Sequence, residues 1–269
     1  MKTALNRPDK LLYIAFIALL IFLNPFTIHE ARAFHGVGAE LTYRCLGGND
    51  YEFTLKYYRD CRGLAIPATQ LITIASASCG LTSTLTLNKV GVGEDISPLC
   101  PKALSECAGG TEPGVEKYIY QNTFTLDNCT DWIFSFEQCC RNVDITNLVN
   151  PNAQFLYIRS TLDNFSGICN TSPMFTTSPV PYICDNQLVN YNMGTFDPDG
   201  DSLHYTLVNA LGSNGLALTY VSGYTPTYPI STTSGSVNFD SNSGNLKINP
   251  DSIQVCIITV LVEEYRNGT

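Results

Sequence analysis

Through most of this chain apolar residues recur at every second position, and that period decides its fold class. Tyr51, Phe53, Leu55 and Tyr57 alternate with Glu52, Thr54, Lys56 and Tyr58. Leu81, Leu85 and Leu87 alternate with Thr82, Thr84 and Thr86, and Trp132, Phe134 and Phe136 with Ile133, Ser135 and Glu137. Successive side chains of a strand point to opposite faces, so a two-residue period marks a half-buried strand. Further strands are expected over 71–75, 116–126 and 154–161, then over 187–191, 203–208, 216–220, 237–239, 245–248 and 253–265. Gly47-Gly48-Asn49-Asp50 and Asp127-Asn128-Cys129-Thr130 carry turn chemistry between them. A short helical turn fits only around 102–107. Short strands at this spacing predict an all-β protein built as sandwiches rather than βαβ units.

Export is expected from the first residues. Lys2, Arg7 and Lys10 precede an apolar run from Leu11 to Leu23, and Ala31-Arg32-Ala33 is a small-x-small cleavage signal. Residues 1–33 therefore read as a secretory signal peptide. The thirteen apolar residues fall short of the roughly 20 that span a bilayer, so no transmembrane helix is expected in the mature chain. With no cysteine near the cut, a lipid anchor is not expected either. The whole chain has 15 basic and 24 acidic residues; removing the leader takes four and two, leaving 11 and 22, a net charge of −11. Nucleic acid needs basic surface, so it is excluded as the main partner.

All eleven cysteines follow residue 33. In an exported chain this predicts disulfides, and zinc is disfavoured because there is no CxxC and only His35 and His204 remain. Connectivity is not readable from sequence. Proximity favours Cys100 with Cys107, then Cys61 with Cys79 and Cys169 with Cys184. An odd total leaves at least one thiol free, paired between chains, or without its partner.

Composition shifts near 164–180, where Asn, Ser, Thr and Pro accumulate up to Ser178-Pro179-Val180-Pro181. The expected organisation is a disulfide-containing sandwich over 34–165, a linker-like passage at 166–180, and a second sandwich over 170–269. The run from Val255 to Tyr265 is strongly β, and Asn267-Gly268 is a hairpin dipeptide. A turn without a returning strand suggests the front part of a longer protein.

The chemistry concentrates in Phe196-Asp197-Pro198-Asp199-Gly200-Asp201-Ser202. Asp197, Asp199 and Asp201 repel one another on so short a turn, so they stay solvated or gather around a hard cation such as calcium. An EF-hand is excluded: Gly200 is fourth from Asp197 and the twelfth position is Val208, where that loop needs glycine at six and glutamate at twelve. The alternative is a polar turn whose carboxylates cap backbone amides. Tyr220, Tyr224 and Tyr228, in a stretch broken by Pro226 and Pro229, are candidates for an exposed patch that stacks on sugars or protein. No GxSxG, HExxH or phosphate loop is present. The adjacent acids Glu94-Asp95 and Glu263-Glu264 point to opposite faces of a strand, so neither pair can flank a glycosidic bond. No enzyme is expected.

Several phrases follow one another in order: His35 to Tyr43 (HGVGAELTY), Tyr57-Tyr58-Arg59-Asp60-Cys61, Cys139-Cys140-Arg141-Asn142, Asp197 to Asp201, and Glu264-Tyr265-Arg266-Asn267-Gly268. Together they resemble the N-terminal region of the large exported, gliding-motility-associated surface proteins of Bacteroidetes. The resemblance implies immunoglobulin- or cadherin-like modules, extracellular display, and a non-catalytic role in adhesion, cell-envelope contact or gliding-associated binding to an extracellular protein or polysaccharide. The other function class to weigh is an accessory, carbohydrate-recognising part of a secreted hydrolase.

Overall fold

The computed structural model describes residues 36–100 and 102–266. The expected leader, His35, and the Asn267-Gly268 turn lie outside them. Seven strands form one antiparallel sheet: β1 (Gly36–Gly47), β2 (Asp50–Asp60), β3 (Thr69–Ser76), β4 (Leu81–Asp95), β5 (Val115–Thr125), β6 (Trp132–Cys139) and β7 (Phe155–Leu162), in the order β1-β2-β5-β4-β3-β6-β7. The alternation decides which face is buried. Tyr51, Phe53, Leu55 and Tyr57 from β2 meet Trp132, Phe134 and Phe136 from β6, each no more than 2% exposed. Their rings pack edge-on, with Phe53 4.7 Å from Phe134 between centroids and Tyr43 5.7 Å from it. On β4 the pattern holds only at Leu87; Leu81, opposite Ser76 at the far end of β3, is 38% exposed. Gly91, at φ +70°, and Gly93 sit where β4 breaks register with β5, and a side chain at Gly93 would meet the Tyr118 ring at 2.6 Å.

The sheet curls until its two edge strands approach. The Tyr43 hydroxyl donates to Thr161 O at 2.9 Å, and Ser160 Oγ donates to Leu41 O. Ser172 then covers part of the β1 edge, its N–H on Tyr43 O at 3.0 Å and its Oγ accepting from Tyr43 N at 2.9 Å. Covering an edge in this way removes a template for unwanted pairing.

The remaining strands are short: β8 (Met174–Phe175), β9 (Val189–Tyr191), β10 (Thr195–Phe196), β11 (Ser202–Leu207), β12 (Asn238–Phe239), β13 (Leu246–Ile248) and β14 (Val260–Tyr265). They pair as β10-β8, β12-β13-β9 and β11-β14. The expected strands at 216–220 and 253–259 do not form. Ala217 and Tyr220 make only isolated bridges. Further on, the backbone is held by a loop: Thr146 N donates to Val255 O at 2.8 Å and Ile257 N to Asn147 Oδ1 at 3.0 Å. Buried Asn147 also donates to Pro229 O and Ile257 O, and Arg141 to Phe155 O and Leu211 O. Burial pulls the Arg141 guanidinium down to about 10. Such bonds tie the strands after residue 170 to the large sheet, and the described residues belong to one compact unit. The helical turn expected at 102–107 is a single 3-10 turn at Glu106–Ala108, capped by Ser105 Oγ.

Eight cysteines are joined, and the pairing departs from sequence proximity. The bonds are Cys45–Cys169, Cys61–Cys107, Cys79–Cys129 and Cys139–Cys140. Cys100–Cys107, Cys61–Cys79 and Cys169–Cys184 are not formed, and Cys100, Cys184 and Cys256 are free. Sheet order explains the difference. Cys61 ends β2 beside the start of β5, its N–H on Gly114 O at 3.1 Å, and the preceding loop returns Cys107 there. Cys79 lies in the β3–β4 turn, and β3 pairs with β6, just beyond Cys129. Denatured, unreduced protein should therefore show three titratable thiols. In the folded chain the exposed Cys100 and Cys184 should react first, because burial pushes the Cys256 thiol up to about 11 and the thiolate is the nucleophile. Five or more thiols would overturn this pairing.

Candidate functional site: the aspartate loop and its arginine

The aspartate phrase folds into a tight loop between β10 and β11. Asp197 Oδ1 accepts the amides of Asp199 at 2.8 Å and Asp201 at 3.1 Å, while Gly200 takes φ +85°. This is the amide-capping turn that aspartate favours. The antiparallel register sets Ser202 opposite Tyr265, which brings Arg266 alongside Asp201. The guanidinium grips both oxygens of that carboxylate, Nε at 2.9 and 3.0 Å and Nη2 at 2.6 Å. Nη2 also donates to Asn170 Oδ1 at 2.8 Å and lies 3.4 Å from Asp199 Oδ2. Asp199 Oδ2 in turn accepts Thr171 N at 2.7 Å. The bonds from Arg266 hold the Asp201 carboxyl below the usual carboxylate range.

The three aspartates are thus brought together, but with Asp199 and Asp201 against a guanidinium and Asp197 capping backbone amides. For calcium a site needs six to eight free oxygen ligands; here Asp201 and one oxygen of Asp197 are already engaged, and Asp199 is turned to Thr171 and Arg266. Sequence reasoning missed the partners Asn170, Glu264 and Arg266 as members of this cluster. Their signal was the Glu264-Tyr265-Arg266 phrase on a strand long enough to pair with Leu203–Leu207.

Glu264 is the chemically unusual member. Asn170 Nδ2 donates to its Oε1, whereas its Oε2 and Asp197 Oδ2 are buried with no N–H or hydroxyl donor, and a proton on Glu264 bonds the two carboxyls to each other. Burial raises the Glu264 carboxyl to about 7, with the Asp197 and Asp201 charges adding to it. A raised carboxyl binds its proton more tightly folded than unfolded, so the stability it contributes is complete below its ordinary value of 4.5 and is lost as pH climbs through about 7. Glu264→Gln should flatten the fall in melting temperature between pH 5 and 8; an unchanged slope would show that Glu264 does not titrate in that window.

The cluster opens on a groove of about 1020 Å³ at the end of the large sheet, bordered by Tyr43, Asp131, Trp132, Ile168, Glu264 and Arg266. Asp131 is held by Ser76 Oγ and Ser78 Oγ, both at 2.6 Å. Trp132 is 2% exposed and gives the groove no stacking surface.

The other candidate residues take structural roles. Tyr220, Tyr224 and Tyr228 do not form an exposed patch: all are half-buried. The Tyr220 hydroxyl accepts Ala210 N at 3.3 Å, that of Tyr228 accepts Thr232 N at 3.2 Å, and that of Tyr224 meets Gln254 Oε1 at 3.5 Å. Proline-broken loops with few strand bonds use tyrosine hydroxyls to hold their own backbone. Glu94 pairs with Lys117 at 2.6 Å, and Asp95 accepts from Ser97 and Ser105. His204 Nδ1 lies 3.7 Å from Glu263. The sulfurs of Cys61 and Cys107 and the Glu116 carboxylate lie within 4.8 Å of one another. The sulfurs are bonded to each other and Arg59 pairs with Glu116, so thiolate ligands for a metal are not available there. Among the described residues no helix is long and apolar enough to cross a membrane. No family model, no curated protein and no solved structure matches the chain.

Proposed function

We propose that this chain is a non-catalytic exported module displayed at the cell surface, of immunoglobulin- or cadherin-like construction, serving adhesion, cell-envelope contact or gliding-associated binding. The observation that carries the reading is the all-β frame stapled by four disulfides, a construction suited to an oxidising compartment. A protein kept in a reducing compartment has no use for a bond such as Cys45–Cys169. The aspartate loop fits the reading as a clasp: Arg266 replaces an ion as its counter-charge and joins the Asn170–Thr171 segment, the loop and β14. Antibody to the folded chain should label intact cells, external protease should remove the label, and deletion should weaken surface attachment. A reduced chain confined to the cytosol would overturn the proposal.

The clasp makes a separate prediction. Arg266→Ala leaves Asp199 and Asp201 uncompensated and should cost about 1.5–3 kcal/mol, the range for hydrogen bonds to charged groups, at its lower end because the arginine is 31% exposed. Calcium at Asp197, Asp199 and Asp201 would have to displace this arginine. Millimolar calcium should therefore leave the wild-type melt within 1 °C of the chelated protein (roughly the scale of a 0.3 kcal/mol change) and raise that of Arg266→Ala. A wild-type midpoint that climbs by several degrees would restore the three-aspartate calcium site.

A further inference from the structure

We infer that the outer edge of β14 is a docking site for an extended strand from another protein, which would enter a slot between β14 and the β1 edge of the large sheet. Ladder parity carries the inference. Val208 N donates to Thr259 O at 3.0 Å, and on the other edge of β11 Tyr205 N donates to Ser241 O at 2.8 Å. Paired positions of an antiparallel ladder alternate between bonded and outward-facing. Leu261, Glu263 and Tyr265 therefore bond to β11, and Val260, Val262 and Glu264 turn N–H and C=O the opposite way. β14 pairs with β11 alone, and the main chains of these three residues have no hydrogen-bond partner among the described residues.

That edge is half-buried. It borders an open cavity of about 1140 Å³, whose lining mixes apolar Leu156, Ile158 and Ile248 with charged Arg159, Glu40 and Glu263. Ala39 lies on the same cavity. It shares the parity of Tyr43, which is turned outward to Ser172, so its N–H and C=O also point away from β2, again without a partner. Backbone groups left unpaired at a half-buried edge are open to a hydrogen-bonding partner. The chemistry of the occupant follows from their spacing. Outward groups on a strand recur about every 6.8 Å, two residues at about 3.4 Å each, which a polypeptide backbone matches and a compact apolar molecule does not. Leu156, Ile158 and Ile248 on one side and polar Arg159 and Glu263 on the other suit a strand whose apolar and polar side chains alternate, the recognition mode of strand addition. A second copy of this chain is a poor occupant, because a β14 edge brings only three outward residues, Val260, Val262 and Glu264, one of them acidic, to a cavity already lined by Glu40 and Glu263. The inference goes beyond the adhesive reading and does not depend on it.

The test uses the whole mature chain and a heptapeptide alternating threonine and valine, with a lysine added at each end. In the free protein the amides of Val260, Val262 and Glu264 should exchange at least 100-fold faster than those of Leu261 and Glu263. Saturating peptide should slow those three by at least 10-fold. Val262→Pro removes one outward donor without touching a β11 bond, and should weaken binding at least 10-fold. Should that variant not fold, a peptide N-methylated at alternate residues supplies the same comparison on wild-type protein. The inference is overturned if the three amides are already protected in the free monomer, if peptide leaves their exchange unchanged, or if neither backbone block weakens binding. Concentration-dependent dimerisation that protects the same amides would assign the slot to a second copy and also overturn it.

Discussion

Replacing Cys45 and Cys169 together by serine should lower stability by about 2–5 kcal/mol, the range for native disulfides in secreted domains. This is the widest of the four bonds, with a sequence separation of 124 and Cα atoms 5.6 Å apart, so it restricts the unfolded chain most. For a domain of this size the midpoint should fall by roughly 5–20 °C. The bond also holds residues 169–172 against the β1 edge, where Thr171 Oγ1 accepts Cys45 N at 3.4 Å and Ser172 bonds Tyr43. The Tyr43 and Cys45 amides should thus lose protection in the variant before the rest of the sheet does. A change below 1 kcal/mol, measured by denaturant unfolding without reductant, would show that this crosslink is not the native one.

Phe134→Ala should be at least as costly. The ring is fully buried and touches Phe53 edge-on, Tyr43 edge-on and Trp132 face-on. Truncating a buried phenylalanine costs about 3–5 kcal/mol, combining lost transfer energy with the cavity left behind. Phe134→Leu should recover more than half of that, since it keeps most of the volume. Equal losses for the two variants would mean that ring geometry, rather than volume, dominates here. The neighbouring exposed Ile133, at 37%, serves as a control: Ile133→Thr should change stability by less than about 0.5 kcal/mol.

Local pattern was a reliable guide where one face of a strand is buried and the other solvated. Tyr51 to Tyr57 and Trp132 to Phe136 are in β2 and β6 with the expected residues inside. It misled at 253–259, where apolar residues run on but the partner across the gap is a loop carrying Asn147, so no ladder forms. It misled again for Tyr220, Tyr224 and Tyr228, whose hydroxyls were taken up by nearby turns. The aspartate loop was legible as a capping turn, because Asp197 bonds amides two and four residues on. Its neutralising partner was not, because Arg266 is 65 residues from Asp201.

What the sequence determined by itself is therefore set by interactions of short range: the two-residue period that makes the chain all-β, the turn at Asp197–Asp201, and a cysteine content suited to an oxidising compartment. What only the tertiary structure decided depends on which strands lie side by side. Sheet order chose Cys61–Cys107 and Cys79–Cys129 over closer cysteines, and the β11–β14 register delivered Arg266 and Glu264 to the aspartates. The physical reason is that a disulfide, an ion pair or a buried carboxyl acts across a few ångströms of space, and sequence distance places no limit on which residues the sheet brings that close.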